Sequence, residues 1–180
     1  MICPELREGE AGLPAQLPDR RFLINVKSND EREGRLLAQR LLALPPEQRR
    51  NISVYGGGAA VRAFSALSPE TRVLGTDGAK RCFILHALLG WSGYVPEDCR
   101  NAFFMVPANF APYVWGYPNR LSARLAAHGL MLVTLGDSEG RASVTGVDDE
   151  STLRKIPGRF DGAIWTDRID RIGPLVRAGG

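Results

Sequence analysis

The feature that most constrains this chain is a rhythm. A short apolar run is followed by a turn signal and then by a segment with helical spacing, and the cycle occurs six times. The runs are Phe22-Leu23-Ile24-Asn25-Val26, Ile52-Ser53-Val54-Tyr55, Arg72-Val73-Leu74, Ala102-Phe103-Phe104-Met105-Val106, Leu130-Met131-Leu132-Val133-Thr134-Leu135 and Asp161-Gly162-Ala163-Ile164-Trp165-Thr166. Runs that are apolar along their length, instead of alternating, suit a parallel sheet covered on its outer face. After the first run, Ser28, Asn29 and Asp30 offer helix-capping oxygens, and Leu37, Leu41 and Leu44 recur at helical intervals, the stripe widened by Ala38 and Leu42. Two architectures fit this rhythm: a doubly wound sheet or part of a (β/α) barrel. A complete eight-unit barrel takes about 250 residues, or about 31 per unit. The 180 residues present hold about six such units.

The remaining composition narrows the function classes. With 44% apolar residues the chain has material for a real core, and its length suits one domain. A net charge of +3, carried by 20 Arg and 3 Lys spread along the chain, is too small to argue for nucleic acid. No apolar stretch is long enough for a membrane span. The first ten residues are acidic and lack an apolar leader core, so no secretory signal is visible. Cys3, Cys82 and Cys99 are odd in number and widely spaced, which predicts three unpaired thiols in a reducing cytoplasm.

Several segments carry potential chemistry, each with a plainer alternative. Gly56-Gly57-Gly58 lies between a strand and a helix, where backbone amides can hold phosphate. It lacks the remaining glycine of a dinucleotide fingerprint and the Gly-Lys-Ser/Thr of a P-loop, so a tight turn explains it as well. Asn25 and Lys27 share one face at the end of the first strand, and Lys27 offers a point charge to an anion or simply snorkels. The loop 107–118 holds Phe110, Tyr113, Trp115 and Tyr117, which either rim an organic substrate or plug the core. Gly90-Trp91-Ser92-Gly93-Tyr94 lacks the last glycine and the strand context of a nucleophile elbow. His86 on an apolar helix face reads as a core histidine, and His128 as a cap-side group at a helix end. Asp167 reads as a cap of the last helix.

Four stretches together resemble the glycerophosphodiester phosphodiesterase family in a bacterial subgroup. They are Phe22-Leu-Ile-Asn-Val-Lys-Ser-Asn-Asp30, Gly90-Trp-Ser-Gly-Tyr-Val-Pro96 running into Cys99-Arg-Asn101, Trp115-Gly-Tyr-Pro118 and Asp161-Gly-Ala-Ile-Trp-Thr-Asp-Arg168. The resemblance implies an α/β fold, a parallel (β/α) barrel of TIM type, here incomplete with about six βα units matching the third to the eighth. Residues 1–20 form a loose lead-in, and 21–180 a partial barrel domain. It implies hydrolysis of a small-molecule glycerophosphodiester to glycerol 3-phosphate and an alcohol, with Mg²⁺ or Ca²⁺ as cofactor. The family's His-Arg-Gly and Glu-x-Asp motifs are absent, so no catalytic residue is assigned and the chain is expected to be weakly active or inactive alone. Where the family reads Glu-x-Lys, this chain reads Asn25-Val26-Lys27, which makes Asn25 the metal-ligand candidate and Lys27 a substrate-side group, with Tyr113, Trp115 and Tyr117 as the aromatic rim.

An incomplete barrel leaves open sheet edges, which predict self-association. Two further readings stand beside the hydrolase. One is a non-catalytic module that keeps Lys27 and the aromatic rim for an anionic ligand. The other is an open α/β phosphate-binding domain using Gly56 to Gly58.

Overall fold

The computed structural model of the protein describes residues 20–96, 99, 103–139 and 145–178. Apart from Arg20, the lead-in assigned to residues 1–20 lies outside them. The chain divides into two compact units, Met1–Gly78 and Ala79–Gly180.

In the first unit, β1 (Phe22–Val26), β2 (Ile52–Gly56) and β3 (Arg72–Gly75) form a parallel sheet in that order, with Val26 opposite Gly56 and Gly56 opposite Gly75. The helices are α1 (Glu31–Leu42), the single turn α2 (Pro46–Arg49) and α3 (Gly58–Leu67). Asp30 caps α1, its Oδ1 accepting the Arg32 amide at 2.8 Å, while Glu31 and Glu33 sit in the positive first turn. The leucine stripe of α1 faces the sheet, and Ala38 and Leu41 meet Ile52, Val54 and Phe64 in one core. Helix α1 crosses α3 at Gly34, where a Cβ would stand 2.0 Å from the Ala60 carbonyl oxygen, so only glycine permits this approach.

The unit boundary falls in the first turn of α4 (Thr76–Leu89), which begins where β3 ends. In the second unit, α4 is followed by a 3-10 turn (Gly90–Ser92), β4 (Phe103–Pro107), a second 3-10 turn (Ala111–Tyr113) and α5 (Asn119–Ala127). Then come β5 (Met131–Leu135), α6 (Glu150–Leu153), β6 (Ala163–Ile164) and α7 (Ile169–Ala178). β4, β5 and β6 make a second parallel sheet in that order. Its core gathers Phe104, Val106 and Leu132 from the strands with Leu121 and Leu125 from α5. Gly129, with φ of +71°, ends α5 in the left-handed conformation expected of a glycine just past a helix.

The barrel expectation is corrected here. Among the described residues, β3 pairs only with β2 and β4 only with β5, so the six strands form two separate three-stranded sheets and not a stretch of TIM-type barrel. The physical reason is that apolar runs locate strands without saying which ones pair. Pairing is decided by backbone hydrogen bonds and by how the cores divide, and here each sheet has its own core. Each sheet consequently has two edge strands, β1 and β3 or β4 and β6. Among the described residues no helix is long and apolar enough to cross a membrane.

The three free thiols are corrected as well. Cys82 on α4 and Cys99 form a disulfide, with Cα atoms 5.0 Å apart and a sequence separation of 17. Both sulfurs sit within the second core, and no spacing rule marks such a pair in advance.

Candidate functional site

In a parallel α/β sheet ligands bind beyond the carboxyl ends of the strands. In the first unit that end is built largely of glycine. Gly56 closes β2, Gly57 and Gly58 lead into α3, Gly75 closes β3, and Gly78 lies in the first turn of α4. A cavity of about 450 Å³ opens there, lined by Gly58, Val61, Arg62, Gly75, Asp77 and Gly78 among others. Arg62 and Asp77 both reach Gly58. A Cβ at Gly58 would lie 2.6 Å from Asp77 Oδ2 and 3.1 Å from Arg62 Nη1.

Helix α3 starts without a side-chain cap of its own, since its N-cap residue is Gly57. The amide of Ala59 instead donates to Asn29 Oδ1 at 2.8 Å, from thirty residues earlier in the chain. A Cβ on Gly57 would collide with Asn29, so the glycine admits that side chain. Asn29, which the sequence offered as a cap for α1, therefore caps α3.

Lys27 follows Val26, the register partner of Gly56, and so leaves β1 beside the glycine turn. It is exposed and has no ion-pair partner among the described residues. Asn25, half-buried on β1, is paired in register with Tyr55. The positive end of α3, Lys27 and Arg62 thus stand at the carboxyl end of one sheet, with Asp77 as the acid beside Gly58. Arg62 went unnoticed in the sequence. The signal was there: a basic residue four positions after Gly58 falls one helical turn above it, on the same face.

The aromatic loop belongs to the second unit. Tyr117 turns inward: its hydroxyl meets Thr134 Oγ1 at 3.0 Å and its ring stacks on Phe160 at 6.0 Å between centroids. Burial pushes its phenol pKa up, against the Thr134 hydrogen bond. Tyr113 is exposed, and Trp115 is half exposed with its indole donating to the Ala87 carbonyl at 3.3 Å. The loop is held to α4 by His86, whose Nε2–H donates to the Trp115 carbonyl at 3.2 Å and whose ring meets Phe104 edge-on. Burial holds the His86 pKa below the ordinary imidazole range, the Trp115 carbonyl opposing and Arg124 reinforcing the shift. His86 is thus a satisfied core histidine. Gly90 leaves it room, since a Cβ there would touch the ring at 2.6 Å.

The segments that carried the family resemblance serve local structure. Thr166 Oγ1 donates to Asp148 and accepts the Arg168 amide, both at 2.9 Å, and the Arg168 guanidinium pairs with Asp170. The cap-like bond before α7 comes from Thr166 and not from Asp167. Ser92 Oγ donates to the Leu89 carbonyl at 2.6 Å within a helical turn, not a nucleophile elbow.

No family model, curated protein or solved structure matches this chain. The phosphodiesterase assignment is therefore corrected, and with it the metal-dependent hydrolysis of a glycerophosphodiester. Its physical basis was short strand-end motifs, which a turn in any α/β unit also requires. Among the described residues no three His, Cys, Asp or Glu side chains come together as they would to hold a metal ion. Asn25 brings an uncharged amide, and among the described residues no cluster of acidic side chains supplies the charge that Mg²⁺ or Ca²⁺ needs.

Proposed function

We propose that this chain is a non-catalytic α/β module that binds a phosphate-bearing or similarly anionic ligand at the carboxyl end of the β1–β2–β3 sheet. The observation that carries this reading is Lys27, a cation without a partner among the described residues, standing beside the glycine turn that opens α3. Lys27 supplies the charge, the first amides of α3 supply oriented donors, and the Arg62 guanidinium lies close to Gly58. Asp77 accepts a hydroxyl or amine of the ligand. Asn25, on the face of Lys27, is a further hydrogen-bonding group. The exposed rings of Tyr113 and Trp115 lie in the second unit, where they offer an apolar surface of their own, whereas Tyr117 acts through its packing.

The test is an NMR titration of the full chain with inorganic phosphate and with phenyl phosphate. The amides of Gly57 to Ala60 should shift saturably, and Lys27→Ala should weaken binding about tenfold, the scale of one charge-assisted hydrogen bond. Saturable shifts elsewhere, or unchanged binding by Lys27→Ala, refute the proposal.

A second reading concerns partners. We infer that the chain associates with copies of itself through its sheet edges. What supports this is the edge strand β6, whose Ile164 lines a cleft of about 460 Å³ together with Ile156, Phe160, Ile172 and Val176 among others. Sedimentation equilibrium tests it, and a monomer at all concentrations rejects it. A cytoplasmic placement and a closed Cys82–Cys99 bond pull in opposite directions, because reducing compartments keep thiols free.

A further inference from the structure

Helix α4 is apolar on both sides along its second half. Its inner face delivers Cys82 and His86 to the core, yet its outer face carries Ile84 and Leu88, one turn apart, and leads into Trp91. These side chains are 57%, 64% and 67% exposed, and Trp115, bonded to the helix at Ala87, is 51% exposed. A soluble helix ordinarily turns a polar face outward, so within the second unit this face lacks a partner.

Charge says what the partner is. Residues 79–136 contain five basic side chains and two acidic ones, Glu97 and Asp98, and so account for the whole +3 of the chain. Neither acid is among the described residues, and the described residues of this stretch include no Asp or Glu at all. The cations surround the apolar face. Lys80 lies one turn before Ile84 on α4, Arg124 donates to the Gly90 carbonyl at 2.8 Å beside Trp91, and the Arg120 Cβ packs by Gly116 next to Trp115. Both indole N–H groups already have acceptors, Trp91 on Leu88 at 3.1 Å and Trp115 on Ala87 at 3.3 Å. The rings can therefore leave water without stranding a donor. None of Ile84, Leu88, Trp91 or Trp115 lines either cavity described above, so the patch is separate from both.

We propose that this face docks the second unit onto an anionic phospholipid surface, with Ile84, Leu88, Trp91 and Trp115 entering the headgroup–acyl boundary and Lys80, Arg120 and Arg124 meeting the lipid phosphates. The docking is peripheral: the apolar face lies in the interface plane and no segment spans the bilayer. It is independent of the anion site of the first unit.

The test uses the full chain with vesicles of phosphatidylcholine alone and of phosphatidylcholine mixed with phosphatidylglycerol. Flotation and tryptophan emission are the readouts. Binding is expected only to the anionic vesicles, weakened by salt, with a blue shift of emission. Leu88→Ser combined with Trp91→Ser should reduce binding by about tenfold or more. Lys80→Glu should reduce it by about twentyfold, since one cation near such a surface is worth about fivefold and the substitution also adds repulsion. The variants alter exposed side chains, and circular dichroism verifies their folding. Three results overturn the proposal. They are equal binding to both vesicles, binding that survives the double substitution, and no vesicle binding together with a dimer that the double substitution dissolves. The last assigns the face to a second copy of the chain.

Discussion

Reducing the Cys82–Cys99 bond should strongly destabilise the second unit. Chain-entropy loss for a loop of 17 residues is about 10.5 cal/mol/K, which is about 3 kcal/mol at room temperature. A domain of this size is stable by only about 5–15 kcal/mol, so the bond is a large share of the total. At about 4–8 °C per kcal/mol, the melting temperature should fall by about 12–24 °C. Calorimetry of the full chain with and without a phosphine reductant measures this while leaving every side chain in place. Thiol counting is the control: of the three cysteines, only Cys3 should react before reduction. Oxidised and reduced chains that melt together would refute the reasoning, as would three reactive thiols under non-reducing conditions. In the first case the loop would already be constrained in the unfolded ensemble.

Two further perturbations probe the two cores separately. Gly34→Ala should destabilise the first unit by about 3 kcal/mol or more, because the new Cβ meets backbone that cannot rotate away; denaturant titration checks it, and an unchanged or higher midpoint contradicts it. His86 binds its proton less readily folded than unfolded, so its contribution to stability is present above the ordinary imidazole pKa and is lost as pH falls through the depressed folded value. Thermal melts from about pH 7 to about pH 5 should therefore show a larger drop for the native chain than for His86→Gln, and parallel curves would sink the assignment.

The strand positions were plain in the sequence. All six apolar runs contain a strand, and Asp30 and Gly129 act at helix ends as their residue types suggest. The lateral order was not, because β3 passes into α4 at Thr76 with no intervening loop and nothing in Arg72-Val73-Leu74 announces that its far side stays unpaired. Counting units suggested part of a barrel, but a count carries no information on hydrogen-bond partners. The site was partly legible. Lys27 and the triple glycine stood out, whereas Asn29 acquires its role only when β1 and β2 lie side by side. Tyr117 differs from Tyr113 because a buried hydroxyl on β5, Thr134, needs a partner, and that need is invisible until the loop is folded over the strand.

The bond between Asn29 and the Ala59 amide has a consequence for any visitor to the glycine turn. That N–H already has its acceptor, so an oxygen aimed at this particular donor has to displace the asparagine. Binding through Ala59 would then be a swap, in which the segment after β1 gives up this one tie to α3. The side-chain amide of Asn29 is thus the built-in competitor for any ligand that would use the Ala59 donor.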